Sequence, residues 1–124
     1  MEGKVRFLNS KLTELISSKS FTFQEVKNHK NIMGVYLIYD QSGQLIYVGS
    51  TNKFHIRFGT DLRHESTHTL MKKLIKLEIH IDRLTAQIHF SNHYSYKISV
   101  CQDKREAEAL EHLAIWILQP VYNK

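Results

Sequence analysis

The strongest apolar pattern in the chain lies near its centre, where two short hydrophobic runs flank a polar turn. The runs extend over Gly34–Asp40 and Leu45–Gly49, and both are rich in aromatic and β-branched residues. Such residues favour strands, and Asp40 and Gly43 suit the first position and the positive-φ position of a tight turn. The pattern therefore predicts a β-hairpin. Because its first run is apolar on both faces, we expect that strand to be covered and central in its sheet.

The register of this hairpin follows from the length of its loop. A three-residue loop over residues 41–43 pairs Tyr36 with Val48. Side chains alternate between the two faces of a strand, so this register puts Tyr36 and Tyr47 on opposite faces. A site that contains both tyrosines would require a bulge or a different register.

Two helices are predicted before the hairpin. Apolar residues recur at helical spacing from residue 5 to about residue 17, namely Leu8, Leu12, Leu15 and Ile16. A second, shorter helix is predicted over residues 21–29, where Thr22 and Glu25 have the spacing of a capping box. Neither helix carries a motif of known chemistry, so residues 1–30 are predicted to form a helical extension packed on the core.

After the hairpin the apolar spacing becomes helical. A helix is predicted over residues 52–64, and a second one starts at Ser66 or Thr67 and extends past Leu77. Residues 78–95 are mixed and allow one more short helix, and the alternation over Tyr96–Cys101 predicts a third strand. The N-cap of the helix over 52–64 is open among Ser50, Thr51 and Asn52.

The last helix has clear signals at both ends. Asp103 and Glu106 have the spacing of an N-terminal capping box. The helix is expected to stop near Leu118, because Pro120 disfavours the α region at the residue before it. The structural role of the cap accounts for both of these acidic residues.

Glu111 occupies an unusual place on this helix. Its neighbours one and two turns away are Ala107, Ala114 and Leu118, so it interrupts an otherwise apolar stripe. A carboxylate is seldom found in such a place unless it is paired or bound to a metal ion. The pattern alone therefore indicates that Glu111 is the functional acidic residue.

Composition limits the class of protein further. The 124 residues are enough for one domain, and 17 Lys and Arg against 12 Asp and Glu give a net charge of +5, which suits a polyanionic partner. No apolar run reaches the roughly 20 residues of a membrane span, and the N-terminus lacks the apolar stretch of a signal peptide. The one cysteine, Cys101, excludes an internal disulfide and fits a reducing compartment. We expect a cytoplasmic protein with no membrane partner.

Two separate motifs resemble those of one nuclease family. Gly34-Val35-Tyr36 and Tyr47-Val48-Gly49 resemble the signature of the GIY-YIG family, with valine in place of isoleucine in both triplets. The segments 106–111 and 119–123 resemble its closing motif, more than sixty residues further on. The resemblance covers roughly residues 32–123. Within the family, this segment is similar to the nuclease domain of the nicking subunit of bacterial excision repair. The resemblance implies an α/β (α+β) fold over residues 31–124, with a three-stranded, mainly antiparallel sheet flanked by helices.

The resemblance also assigns roles to individual residues. It implies that Tyr36 and Tyr47 are the paired tyrosines and that Gly34 and Gly49 are glycines at tight backbone positions. It further implies that Arg57 binds phosphate, that Glu111 binds the metal ion, and that Asn123 is the asparagine at the end of the family motif. The chain departs from the family pattern in two places. Ser50 follows the second triplet where many relatives have lysine, and Asp61 stands where relatives often have tyrosine or histidine. The general base therefore stays open among Tyr47, His64 and His68.

The implied activity is hydrolysis of DNA phosphodiester bonds, and no small-molecule cofactor is expected. A single carboxylate with several waters suits Mg²⁺ or Mn²⁺ better than zinc, and the histidine pairs at i, i+4 spacing lack a third ligand. We expect Arg57 and the lysines of the following helix, Lys72, Lys73 and Lys76, to contact DNA. A nucleic-acid-binding module that has lost catalysis and a protein-interaction domain are the alternatives. Monomer and homodimer stay equally open.

Overall fold

A computed structural model describes residues 2–22, 25, 33–51 and 92–123. Within these ranges the chain forms a three-stranded antiparallel sheet and two helices. The elements are helix α1 (Glu2–Ser17), strands β1 (Gly34–Tyr39), β2 (Leu45–Thr51) and β3 (Ser95–Val100), and helix α2 (Lys104–Leu118). The strand order β2-β1-β3 confirms the predicted sheet and the central position of its first strand.

The central strand is buried because both of its faces are apolar. Val35, Leu37 and Ile38 are fully shielded from solvent. Successive side chains point to opposite faces of a strand, so Val35 and Leu37 share the face that packs against the two helices. The core on that face joins residues of α1, the sheet and α2, namely Leu12, Leu15, Val35, Leu37, Val48, Cys101, Ala107, Leu110 and Ala114.

Helix α1 begins three residues earlier than its apolar spacing predicts and ends at the predicted residue. Leu12 and Leu15 are its buried residues in the core. After the helix, Phe21 makes an isolated antiparallel bridge with Tyr96 of β3, through backbone bonds of 2.6 and 2.9 Å. None of the helices in the described ranges is long and apolar enough to cross a membrane.

The first predicted capping box is complete, whereas in the second the Glu106 side chain accepts from the Gln102 amide at 2.9 Å and not from the Asp103 amide. The Thr22 amide donates to Glu25 Oε1 at 2.9 Å, and the Glu25 amide donates to Thr22 Oγ1 at 3.2 Å. At the start of α2 the Glu106 amide donates to Asp103 Oδ1 at 2.8 Å. Glu106 has a second role, because its Oε2 lies 3.3 Å from Nζ of Lys11 and so connects the two helices.

Helix α2 ends where proline was expected to stop it. Gln119 takes a left-handed conformation, φ 47° and ψ 61°, and its amide donates to the Ile115 carbonyl at 3.0 Å. The chain then turns at Pro120, which is buried. This exit directs the following residues back along β2.

Cys101 was predicted to lie in the third strand, but β3 ends one residue before it. The side chain is buried, and burial raises the pKa of the thiol to about 11. The thiolate is the reactive form of cysteine, so burial disfavours a nucleophilic role for this residue. The helices predicted over residues 52–64 and 66–77, the rest of the helix over 21–29 and most of the segment 78–95 lie outside the described residues.

Candidate active site

The observed hairpin differs from the predicted one by a single bulge. Its three-residue loop is as predicted, because the Asp40 amide donates to the Gln44 carbonyl at 2.9 Å and Tyr39 pairs with Leu45. The register then shifts between Ile38 and Tyr39, since Ile46 is an extra residue on β2. Such a bulge changes the face of every residue beyond it.

The predicted pairing of Tyr36 with Val48 is therefore wrong by one residue. Tyr36 pairs with Gly49 instead, and Tyr47 precedes Gly49 by two residues, so the two tyrosines share one face. Their ring centroids lie 6.3 Å apart with an interplanar angle of 35°. The bulge thus brings together the tyrosines of the two sequence triplets.

Gly49 is required by the close approach of Tyr36. A Cβ atom at position 49 would lie 2.5 Å from both Cζ and Oη of Tyr36, and 3.0 Å from Cε2 of Tyr47. The phenol ring of Tyr36 therefore crosses directly over the backbone of β2. Tyr36 is 3% exposed, whereas Tyr47 is only partly buried. Of the pair, Tyr47 is the residue that solvent reaches more readily.

Other tyrosines near the sheet are poor candidates for a general base. Burial raises the pKa of Tyr94 to about 12. Burial also raises the pKa of Tyr96, a completely shielded residue of β3, well above its ordinary value. A base must lose its proton near the operating pH, so neither of these residues suits that role.

Glu111 contacts the sheet through a serine. Ser50 Oγ donates to Glu111 Oε1 at 2.5 Å, across 61 residues of sequence. Ser50 lies two residues beyond the core residue Val48 and so faces α2, and Val35 is its partner on β1. Ser50, one of three candidates for the N-cap of the helix predicted over 52–64, lies within β2 and makes this contact.

Glu111 is half-buried between the buried residues Ala107 and Ala114, as its sequence neighbours indicated. The bond from Ser50 is the only hydrogen bond of the Glu111 side chain within the described ranges, and both ion pairs found there involve other acidic residues of α2, Glu106 and Glu108. In the part of the chain that the structure describes, nothing positively charged compensates this carboxylate.

Asn123 closes the free edge of β2. Its Oδ1 accepts from the Val48 amide and its Nδ2 donates to the Val48 carbonyl, each at 2.7 Å. The preceding residue continues the contact, because the Tyr122 amide donates to the Ile46 carbonyl at 2.9 Å. One side chain thus supplies the donor and the acceptor that a neighbouring strand would supply.

The candidate site residues in the described ranges therefore lie in or contact four consecutive residues of β2, Tyr47–Ser50. Tyr36 lies over Gly49, Glu111 accepts from Ser50, and Asn123 holds Val48. They reach the strand from different sides: the tyrosines from one face, Glu111 from the face of α2, and Asn123 along the edge. Gly34, at the start of β1, pairs with Thr51 at the end of β2.

The remaining candidates lie outside the described residues. These are Arg57, His64, His68, Lys72, Lys73 and Lys76. Sequence reasoning had also passed over Ser50 as a site residue. No local signal marked it, because the face of β2 on which Ser50 lies depends on the bulge at Ile46.

The donor set fits a hard divalent cation better than a soft one. A half-buried carboxylate without a cationic partner among the described residues is an oxygen ligand of the kind that Mg²⁺ prefers, with water completing its shell. The described residues contain no group of three or more His, Cys, Asp and Glu side chains placed to hold a metal ion. A zinc site built on such a group is therefore absent from that part of the chain.

Comparison with known proteins agrees with this geometry. Residues 32–123 match the family model of the GIY-YIG catalytic domain. Because that match covers most of the chain, the protein belongs to the GIY-YIG family of nuclease domains.

The individual relatives are bacterial proteins named UvrABC system protein C. The chain is 31% identical over 112 residues to UvrABC system protein C of Photorhabdus laumondii, and equally so to that of Cronobacter sakazakii. Each match covers 90% of this chain and 15% of the relative, so the chain spans only a small part of the length of these proteins.

Solved structures show the same fold. The GIY-YIG N-terminal endonuclease domain of UvrC from Thermotoga maritima, bound to its catalytic divalent cation magnesium, superposes with a TM-score of 0.56 at 20% identity. The superposition covers 82% of this chain and 93% of that domain. A point mutant of the same domain, with phenylalanine in place of one tyrosine, gives a TM-score of 0.56 at 19% identity.

Removal of the Asn123 amide should destabilise the protein. We expect Asn123→Ala to lower the free energy of unfolding by about 1–3 kcal/mol, because it leaves the Val48 amide and carbonyl without their partner. Asn123→Asp should cost at least as much, since a carboxylate oxygen would face the Val48 carbonyl. Urea unfolding measures both effects.

Asn9→Ala is the control, because Asn9 is exposed on α1 and its side chain makes no hydrogen bond within the described ranges. Alanine favours the helix there, so the control should be as stable as the wild type or slightly more stable. Equal stability of Asn123→Ala and the wild type would show that the edge contact contributes nothing.

Proposed function

We propose that this chain is a divalent-metal-dependent DNA endonuclease that hydrolyses phosphodiester bonds. The observation that supports it best is that Tyr36, Tyr47, Glu111 and Asn123 all lie in or contact the stretch Tyr47–Ser50 of β2, from its two faces and its edge, within a chain of net charge +5. The first two residues come from the signature triplets and the last two from the closing motif. The N-terminal helical extension, residues 1–30, is proposed to serve packing rather than chemistry.

Glu111 would hold the metal ion, Mg²⁺ or Mn²⁺. When bound, such an ion supplies charge neutralisation at the phosphate and stabilisation of the leaving oxygen. The carboxylate suits this role because it is fixed between two buried alanines and its Oε1 is oriented by Ser50. Asn123 would act indirectly, by keeping β2 in place under the site.

The other residues would act on the DNA itself. Arg57 would bind two oxygens of the reacting phosphate through its planar guanidinium group, whose charge persists at any working pH. The proton of the attacking water would go to Tyr47, His64 or His68, of which Tyr47 is the partly exposed member of the tyrosine pair. Lys72, Lys73 and Lys76 would contact neighbouring phosphates.

A plasmid assay tests the proposed function. Supercoiled DNA should be nicked in the presence of Mg²⁺ or Mn²⁺ and not in EDTA, and a gel shift in EDTA should still show DNA binding. Binding without nicking at any metal concentration would instead support a nucleic-acid-binding module of the same fold, which the serine at position 50 makes worth testing. Absence of both would support a protein-interaction domain.

DNA binding should depend strongly on salt and weakly on sequence. Each phosphate contact made by a lysine or arginine adds about −0.9 to the slope of log K against log salt on duplex DNA. We expect a slope steeper than about −2, since Arg57 and three lysines are proposed to contact the backbone. Fluorescence anisotropy on two duplexes of unrelated sequence, from low to moderate salt, measures both properties. A flat response would remove nucleic acid as the main partner.

Replacement of Arg57 should impair catalysis more than binding. Arg57→Ala is expected to lower kcat by about 10²-fold or more, comparable to the loss of one preorganised donor to a developing charge. Arg57→Lys should restore little, because an ammonium group lacks the planar fork of guanidinium. Arg105→Ala removes an exposed arginine of α2 and is the matched control. Equal cleavage by Arg57→Ala and the control would assign Arg57 to the general surface.

A further inference from the structure

Ser50 and Glu111 form a contact whose properties point beyond simple packing. Ser50 Oγ donates to Glu111 Oε1 at 2.5 Å, a short hydrogen bond between two residues 61 positions apart in sequence. A serine hydroxyl rotates to suit its acceptor, so it can direct its proton at this carboxylate oxygen. The contact is partly shielded from water, which strengthens it.

Both ends of the contact stand on rigid elements. Ser50 follows Val48 and Gly49, whose positions are fixed by the Asn123 amide and by the Tyr36 ring. Glu111 projects from α2 next to the buried residues Ala107 and Ala114. Since neither backbone is free to adjust, the hydroxyl selects one orientation of a side chain that otherwise has three rotatable bonds.

We propose that Ser50 is the positioning residue for Glu111, holding Oε1 so that the carboxylate is oriented for a divalent cation before the cation arrives. This assignment rests on the proposed function, because it takes Glu111 as the metal ligand. Groups that orient a metal ligand typically change metal affinity by about 10- to 100-fold when they are removed. The serine hydroxyl does not itself contact the DNA or the reacting atoms.

Binding of Mn²⁺, followed through the electron paramagnetic resonance signal of the free ion, tests this role without any cleavage. Ser50→Ala should raise the Kd for Mn²⁺ by about 10- to 100-fold. Ser50→Thr and Ser50→Val form a second pair, because threonine and valine have nearly the same shape and differ in the hydroxyl. Threonine should bind Mn²⁺ like the wild type, and valine should bind as weakly as alanine.

Ser99→Ala is the matched control. Ser99 lies on β3 opposite Val35, in the same cross-strand row as Ser50, and is likewise partly buried, but its side chain does not bond to Glu111. Its Kd for Mn²⁺ should equal that of the wild type. If the contact were merely structural, Ser50→Val would lower the thermal midpoint in EDTA and leave the Kd unchanged. That result would overturn the positioning role.

The failure of the proposed function has a different signature. Glu111→Gln should lose Mn²⁺ binding if Glu111 is the ligand. A wild-type protein that fails to bind Mn²⁺, or a Glu111→Gln variant that binds it equally well, would overturn the metal-ligand assignment and the role of Ser50 with it. If Glu111→Gln loses binding while Ser50→Ala and Ser50→Val keep it, only the role of Ser50 is overturned.

Discussion

Glu111→Gln is expected to abolish plasmid nicking while the protein stays folded. The glutamine side chain keeps the shape of glutamate, and its carbonyl oxygen still accepts from Ser50. It loses the negative charge that a divalent ion requires. Metal catalysis supplies several kcal/mol of transition-state stabilisation, and each step of about 1.4 kcal/mol is a factor of ten. Nicking should therefore fall by at least about 10²-fold, even at saturating DNA.

Two further measurements on the same preparation distinguish metal binding from a structural role. DNA binding in EDTA should persist or tighten, because a negative charge near the phosphates has gone. Stability in EDTA should hold or rise, because a neutral amide is less costly to bury than a carboxylate. Glu108→Gln is the control on the same helix, since Glu108 is exposed and its one ion pair in the described ranges is a surface pair of 3.7 Å with Lys104.

A purely structural role of Glu111 predicts a loss of stability instead. If Glu111 pairs with a buried cation such as Arg57, replacement of Glu111 would leave that cation buried without a partner, at a cost of about 3–5 kcal/mol in the free energy of unfolding. Thermal melting would then show a strongly destabilised protein. A variant that still nicks DNA, or that simply unfolds, would end the interpretation of Glu111 as a metal ligand.

Gly49→Ala is expected to damage both stability and activity. The new Cβ atom would overlap Cζ and Oη of Tyr36 at 2.5 Å, and that ring is buried and rigid, so it has no easy way to move. Overpacking of this kind costs about 1–3 kcal/mol. Displacement of the ring would also disturb its partner Tyr47 at the site. Urea unfolding and plasmid nicking measure the two effects.

The control is a glycine-to-alanine substitution at a position where the added Cβ atom has room. A Cβ atom at Gly3 on α1 meets nothing within 4 Å, so Gly3→Ala should keep or slightly raise the stability. Combining Gly49→Ala with Tyr36→Ala should cost less than the sum of the two single changes, since the clash is then removed. Full additivity, or a Gly49→Ala variant as stable as the wild type, would contradict the contact.

The sequence predicted the sheet better than it predicted the site. The hairpin, its loop and the last helix were all marked by local signals, because turns and caps depend on neighbouring residues. The bulge at Ile46 left no such signal: Leu45–Val48 is apolar at every position, so alternation could not fix which residues face the helices. The register, and with it the shared face of Tyr36 and Tyr47, therefore required the three-dimensional structure.

Glu111 and Ser50 show that local sequence patterns identify some site residues and miss others. Glu111 was identified because its neighbours along one helix are apolar, which is a local pattern. Ser50 was missed because its partner lies 61 residues away, and a serine after a glycine is equally typical of a helix cap. The role of Asn123 at the edge of β2 depended on a contact across 75 residues.

The closure of β2 by Asn123 also bears on the order of events during synthesis. The hairpin is local and pairs early, because contacts close in sequence form before distant ones. Until residues 122–123 have emerged, the Ile46 carbonyl and the Val48 amide and carbonyl lack the partners that these two residues supply. Such an edge is open to pairing with other chains. We therefore expect the signature hairpin to be more open to aggregation before residues 122–123 are made than after they contact β2.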